Sequence, residues 1–140
     1  MTEIRLKNEA ATIAYAHKLA ATLKPGQVIA LSGELGAGKS VFARSLMRSL
    51  GVKDEALPSP TFAIIQEYKG DECKVAHMDW YRLEDANEIE MLGVRDFFQP
   101  PWISIIEWPE HNSSILPADS IRITITVDSN NLERRTLAII

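Results

Sequence analysis

The sequence predicts an α/β fold, a mixed sheet flanked by helices, with antiparallel hairpins. Three observations predict it. The first is Gly33-Glu34-Leu35-Gly36-Ala37-Gly38-Lys39-Ser40, which fits G-x-x-x-x-G-K-[ST], the pattern of a phosphate-binding loop. The second is its context. Val28-Ile29-Ala30-Leu31 before it is a short apolar run suited to a strand buried on both faces, and residues 41–50 after it show helical apolar spacing. The third is a pair of hairpin patterns: residues 62–68 with 73–78, and residues 121–127 with 134–140. Strand, glycine loop and helix in that order make a P-loop nucleotidase-like domain the expected architecture. The alternative, a glycine-rich turn that binds nothing, leaves the flanks without a reason.

Each element has a local cause. Met1-Thr2-Glu3-Ile4-Arg5 is assigned no element and lacks the apolar core of a signal peptide. Asn8 suits the N-cap of a helix over residues 9–23, with Ile13, Ala16, Ala20 and Leu23 on one face and Lys24-Pro25-Gly26 as its end. His17 in it reads as a surface or boundary residue. In the helix after the loop, Phe42, Leu46, Met47 and Leu50 share a face, Arg44 and Arg48 lie on another, and Gly51 is the stop signal. Leu57-Pro58-Ser59-Pro60-Thr61-Phe62 holds two prolines within three residues, which excludes both helix and central strand. The first hairpin turns at Lys69-Gly70-Asp71-Glu72, and its second strand runs into Asp79. Asp85-Ala86-Asn87-Glu88 is a capping pattern for a short helix to about residue 92, closed by Gly93. Residues 103–106 form a buried strand ending in Glu107-Trp108-Pro109-Glu110. Residues 121–127 alternate apolar and polar, and Asp128-Ser129-Asn130-Asn131 turns them into the last strand.

The chemistry follows from the residue types. Gly33, Gly36 and Gly38 let the backbone take positive φ, so that N–H groups can face phosphate oxygens. Lys39 places a charge on the β/γ-phosphates, and the Ser40 hydroxyl suits Mg²⁺. A helix beginning near Gly38 aims its free N–H groups at the same anion. Asp79, an acid finishing an apolar strand, is what a Walker B element requires near the metal. His77 is expected to face away from it. Glu107 repeats the strand-end pattern and has three open roles: polarising an attacking water, ligating Mg²⁺ directly or through water, or holding a loop. Trp108 is either a core tryptophan or a site residue. Thr61, after the rigid proline segment, either approaches the γ-phosphate or its metal, as a switch segment does, or lies in a surface turn.

A chain of 140 residues suits one compact domain, so residues 1–140 are read as a single unit. Net charge of −4 without a lysine- or arginine-rich run argues against strong direct tRNA or other nucleic-acid binding. No apolar stretch is long enough to span a bilayer, so no membrane role is expected. The lone cysteine, Cys73, has no internal disulfide partner and reads as buried packing, which makes a reducing cytoplasm the natural setting.

Four motifs in this order, G-E-L-G-A-G-K-S at Gly33, P-S-P-T-F at Pro58, H-M-D-W-Y-R-L at His77 and I-E-W-P-E at Ile106, resemble the bacterial TsaE (YjeE) ATPases of tRNA threonylcarbamoyladenosine (t⁶A) biosynthesis. Chain length, Asn8-Glu9-Ala10-Ala11-Thr12 and the C-terminal hairpin fit as well. The resemblance implies that Gly33, Glu34 and Leu35 lead into a loop in which Gly36, Ala37, Gly38, Lys39, Ser40 and Val41 wrap the ATP phosphates. It implies that Thr61 sits in the switch segment, that Asp79 and Glu107 stand on the metal and attacking-water side, that Trp108 flanks the site and that Thr12 lies near the base. Ser40 stands where the family more often has Thr, and Trp80 where it usually has Leu; neither change is expected to disturb the metal site. The implied cofactors are ATP and Mg²⁺. The implied partners are TsaB and TsaD, which carry the transfer of the threonylcarbamoyl group to adenosine in tRNAs that read ANN codons, while the TsaE-like subunit binds and hydrolyses ATP.

Two other functions compete. A small-molecule kinase needs a second substrate pocket and a lid rich in arginines, and here the arginines are scattered. A nucleotide-gated binding module without significant turnover differs only in catalysis. A GTPase is excluded by the lack of an N-K-x-D motif. No arginine finger is pre-placed; Arg82 is the nearest internal candidate to Asp79.

Overall fold

The computed structural model describes residues 1–61 and 63–140. Its chain order is β1 (Thr2–Leu6), α1 (Glu9–Ala20), β2 (Val28–Ser32), α2 (Lys39–Ser49), β3 (Ile65–Lys69), β4 (Lys74–Asp79), α3 (Ala86–Met91), β5 (Trp102–Glu107), β6 (Ile121–Val127) and β7 (Arg135–Ile139). Short 3-10 segments follow α3 (Val94–Phe98) and β5 (Pro109–Ile115). The expected mixed α/β architecture is present. Seven strands form one sheet in the order β1-β7-β6-β2-β5-β4-β3. β6, β2, β5 and β4 run parallel, and the antiparallel pairs β3–β4, β6–β7 and β7–β1 extend the sheet on both sides.

β2 lies between β5 and β6, and its first four residues are all buried, as the unbroken apolar run requires. Side chains alternate across the sheet and so feed two cores. Ile29, Leu31, Ile105 and Leu137 pack with Phe42, Leu46 and Met47 of α2 and with Ala16 and Ala20 of α1. Ala30, Met78 and Ile106 face the other way, toward Trp80, Ile89 of α3 and Val94. Trp80, one residue past Asp79, is thereby buried on the opposite side of the sheet from α2.

Local signals match at the caps. The Asn8 side chain accepts from the Ala11 N–H, and Asp85 accepts from the Glu88 N–H. Gly93 takes φ 69° behind α3. Several details differ from the sequence reading. α1 ends at Ala20 rather than residue 23, and it buries Thr12 with Ala16 and Ala20 while Ile13 is largely exposed. The buried stripe runs through Thr12, Ala16 and Ala20 at four-residue spacing, sharing Ala16 and Ala20 with the expected face. β1 was not anticipated, although Glu3-Ile4-Arg5-Leu6 alternates polar and apolar; the pattern is short, and only Leu6 of the strand is fully buried. In the first hairpin, β3 begins at Ile65, and Phe62, its expected start, lies outside the described residues. Cys73 sits just before β4 and is only half-buried. Burial, with Asp71 and Glu72 alongside, pushes its thiol up.

Candidate active site

The parallel register decides the site. Leu31 of β2 pairs with Glu107 of β5, and Asp79 of β4 pairs with the same Glu107. Three strand ends therefore stop at one level, and everything that follows them gathers at one edge. In parallel α/β sheets this carboxyl edge is where ligands bind. The glycine loop leaves β2 there. Gly33, at φ 151°, passes so close to β6 that a Cβ would stand 2.6 Å from the Ile125 carbonyl oxygen. Gly38 is left-handed (φ 105°) at the start of α2 and supplies no side-chain cap, so the first N–H groups of α2 face the space in front of the loop.

That space is a cavity of about 510 Å³. Lys39, Ser40, Thr61, Asp79, Glu107 and Trp108 all line it, together with Leu35, Gly36, Gly38 and Val41. Gly33, Glu34 and Ala37 do not line it; they shape the loop from outside. Glu34 is exposed with its carbonyl receiving the Ala37 N–H, and Ala37 is buried. Thr12 lines an adjoining cavity of about 480 Å³ that shares Gly38, Val41 and Arg135 with the first.

Lys39 is folded inward. Its ammonium donates to the Gly33 carbonyl and lies 3.5 Å from the centre of the Trp108 ring. Burial pushes its pKa below a lysine's ordinary value, while Glu107, Glu110 and Asp79 pull it the other way. Trp108 holds a left-handed backbone (φ 59°), an uncommon conformation for a bulky residue, and its ring packs 4.9 Å from that of Tyr81. Trp108 is half-buried and lines the cavity instead of filling the core. Asp79 is buried and accepts from the Tyr81 N–H at 2.9 Å through one oxygen; the Thr61 hydroxyl approaches the other at 3.4 Å. Ser59 in turn contacts Thr61 at 2.9 Å, which ties the proline segment to the strand-end acid.

His77 was expected to face away from Asp79 and does not. Residues two apart on a strand share a face, and the His77 Nε2 lies 2.6 Å from Oε2 of Glu107, with both side chains buried. The signal was present in the spacing. Arg135 was also missed, and no sequence signal points to it. Its Nε donates to the Ala37 carbonyl at 2.8 Å, from 98 residues away, and it stands where the two cavities meet. Tyr81 is the third addition. Arg82 is not among the residues lining the cavity.

The arrangement suits an anion with a divalent cation. Helix N–H groups and the Lys39 side chain line one side of the cavity, and a hydroxyl with two carboxylates lines the other. Among the described residues there is no cluster of three metal-ligating His, Cys, Asp or Glu side chains. A metal here would therefore take part of its oxygen shell from the bound phosphates, as magnesium at nucleotide sites does.

Comparison with known proteins agrees in extent. The family model described as Threonylcarbamoyl adenosine biosynthesis protein TsaE matches residues 6–137. A Bacillus subtilis (strain 168) protein named tRNA threonylcarbamoyladenosine biosynthesis protein TsaE is 39% identical over 121 residues, 86% of this chain and 75% of that one. One of the same name from Aquifex aeolicus is 35% identical over 136 residues, covering 96% and 95%. The crystal structure of Bacillus subtilis YdiB shares the fold with a TM-score of 0.81 at 30% identity, over 99% of this chain and 83% of that one.

Proposed function

The chain belongs to the TsaE family of threonylcarbamoyl adenosine biosynthesis proteins, and from that premise we propose that it is a Mg²⁺-dependent ATPase serving tRNA t⁶A modification with TsaB and TsaD. The observation that carries the ATPase part is the convergence of Lys39, Ser40, Thr61, Asp79 and Glu107 on one cavity at the mouth of the glycine loop. The loop residues from Gly36 to Val41 hold the phosphates through backbone N–H groups. Lys39 exchanges the Gly33 carbonyl for a phosphate oxygen. Ser40 and Asp79 are placed to hold magnesium, which when bound would offset charge on the phosphate oxygens. Glu107 orients the attacking water or completes the metal shell, and Thr61 follows the state of the γ-phosphate. The adjoining cavity at Thr12 takes the nucleoside end. No helix among the described residues is long and apolar enough to cross a membrane, which accords with a cytoplasmic setting.

Turnover is expected to depend on the partners. Nε and one terminal nitrogen of Arg135 are spent on the backbone carbonyls of Ala37, Leu132 and Arg134. A finger aimed at the γ-phosphate must then come in trans, and such a group raises turnover by about 10³ or more in other nucleotidases. The test is Glu107→Gln, measured with TsaB and TsaD present. ATP with magnesium should bind within about tenfold of wild type while hydrolysis falls by about 10² or more, because a carboxylate there acts on the transition state. Normal hydrolysis by the variant would remove Glu107 from catalysis. A wild-type chain as fast alone as with its partners would remove the partner-dependent mechanism.

A further inference from the structure

We propose that His77 is a positioning residue for Glu107: its Nε2–H holds one carboxylate oxygen so that the other faces the cavity. The proposal rests on the ATPase reading of Glu107 and extends it to a residue outside the cavity lining.

The geometry is specific. β4 and β5 are parallel neighbours in which His77 lies level with Ile105 and Asp79 with Glu107. Glu107 is thus diagonal to His77 on the shared face, close enough for the imidazole to reach along the sheet. The contact at 2.6 Å is between side chains that are 1% and 4% exposed, so water does not compete for it. The other ring nitrogen, Nδ1, is buried with no hydrogen-bond partner among the described residues. That orphan identifies the donor. With the proton on Nε2, the unpartnered atom is an acceptor lone pair, which is tolerated. Were the carboxyl the donor, or the ring doubly protonated, Nδ1 would carry a buried N–H with nowhere to go, the rarer and costlier case. The neutral Nε2–H tautomer donating to an ionised Glu107 is the arrangement that leaves the least unsatisfied.

The consequence is orientational. A glutamate has three side-chain torsions and pays rotamer entropy to hold one pose. Its Oε2 is fixed by His77, and its carbonyl accepts from the Trp80 N–H; the N–H of the next residue, Trp108, donates to the Leu31 carbonyl. Oε1 remains to meet a water or a metal at the cavity. Removing the imidazole donor leaves the charge but frees its aim, which should lower turnover and spare nucleotide affinity.

The experiment compares His77→Leu, which keeps bulk and loses the donor, with His77→Gln, whose side-chain amide restores an N–H at similar reach. ATPase rates with TsaB and TsaD, ATP affinity by calorimetry and thermal unfolding are measured for each, with Glu107→Gln alongside. Expected are a turnover loss of about tenfold or more for His77→Leu at an ATP Kd within about threefold, and recovery of most of that loss in His77→Gln. In the Glu107→Gln background, His77→Leu should add nothing further. If Glu107→Gln is slow but His77→Leu is at wild-type rate, or if His77→Gln is as slow as the leucine variant, positioning is overturned and the catalytic reading of Glu107 stands. If Glu107→Gln is itself at wild-type rate, the underlying reading has failed and the proposal with it. Should His77→Leu not fold, the ¹⁵N shifts of the wild-type imidazole decide: a protonated Nε2 with a bare Nδ1 is expected, and either the opposite tautomer or an imidazolium overturns the proposal.

Discussion

Replacing Lys39 by methionine or alanine tests the central chemistry. The Lys39 ammonium is already engaged within the chain. It bonds the Gly33 carbonyl and sits over Trp108, and a cation–π contact of that kind contributes about 0.5–2 kcal/mol. Binding ATP exchanges these for phosphate oxygens, so only the difference appears as affinity. A charge-assisted hydrogen bond is worth about 1.5–3 kcal/mol. Loss of the lysine also leaves Asp79, Glu107 and Glu110, the acids whose fields reach Lys39, unopposed beside an incoming polyanion. With the exchanged contacts offsetting part of the first effect and the second adding to it, the loss is expected at about 1.5–3 kcal/mol, roughly 10- to 100-fold in Kd. Lys39→Met keeps the aliphatic stem against the tryptophan and removes only the charge. It should therefore lose as much affinity as Lys39→Ala while remaining folded, its unfolding temperature lowered only by the few degrees that about 0.5–2 kcal/mol of lost cation contacts implies. Calorimetric titration with ATP and magnesium, paired with thermal denaturation, reads both. A folded Lys39→Met that binds ATP within about threefold of wild type would refute the phosphate-loop assignment, since no other side-chain cation stands on that loop.

The remaining expectations are narrower. Asp79→Asn should bring the ATP affinities measured with and without magnesium close together, and a retained magnesium dependence would move the metal away from this acid. Because burial lowers the Lys39 pKa, its charge is lost at a lower pH than that of an exposed lysine; ATP affinity should fall as pH rises through the alkaline range, and a flat profile would contradict it. Gly33→Ala forces a Cβ against the Ile125 carbonyl oxygen at 2.6 Å, where the neighbour is backbone and cannot swing aside; a loss of about 1–3 kcal/mol in thermal or urea unfolding is expected, and an unchanged midpoint would refute it. Cys73 has a raised thiol pKa, so at mildly alkaline pH iodoacetamide should alkylate it more slowly than a free cysteine; faster reaction would contradict the assignment.

What the sequence made legible is what short-range physics decides. Asn8 and Asp85 cap their helices through N–H groups three residues away, so each capping residue and its partner lie within one turn. Lys39, Ser40, Asp79 and Glu107 were legible for a related reason: each begins a helix or ends a strand, and parallel pairing stacks such ends at one edge without further information. β1 was illegible because its reason for existing is elsewhere. It pairs only with β7, at the far end of the chain, and four of its five side chains are not buried. The face of α1 was half legible: Ala16 and Ala20 are buried as expected, but Thr12 rather than Ile13 completes the stripe at four-residue spacing, a polar residue that an apolar pattern does not mark.

Arg135 shows where pattern reading ends. Its partner is a backbone carbonyl, the group every residue carries, so neither its identity nor its position in an alternating strand marks it. The topology creates the meeting. β7 pairs with β6, β6 with β2, and the loop leaving β2 curls back over that edge. A guanidinium at the first residue of β7 then lies beside the loop at Ala37, and Gly38 leaves room for it: a Cβ there would stand 3.4 Å from Nε. The C-terminal hairpin, legible in the sequence only as a hairpin, is a buttress of the glycine loop. Its cation is held by carbonyls on the side where the two cavities join, so the loop's shape depends on strands that carry none of its motif.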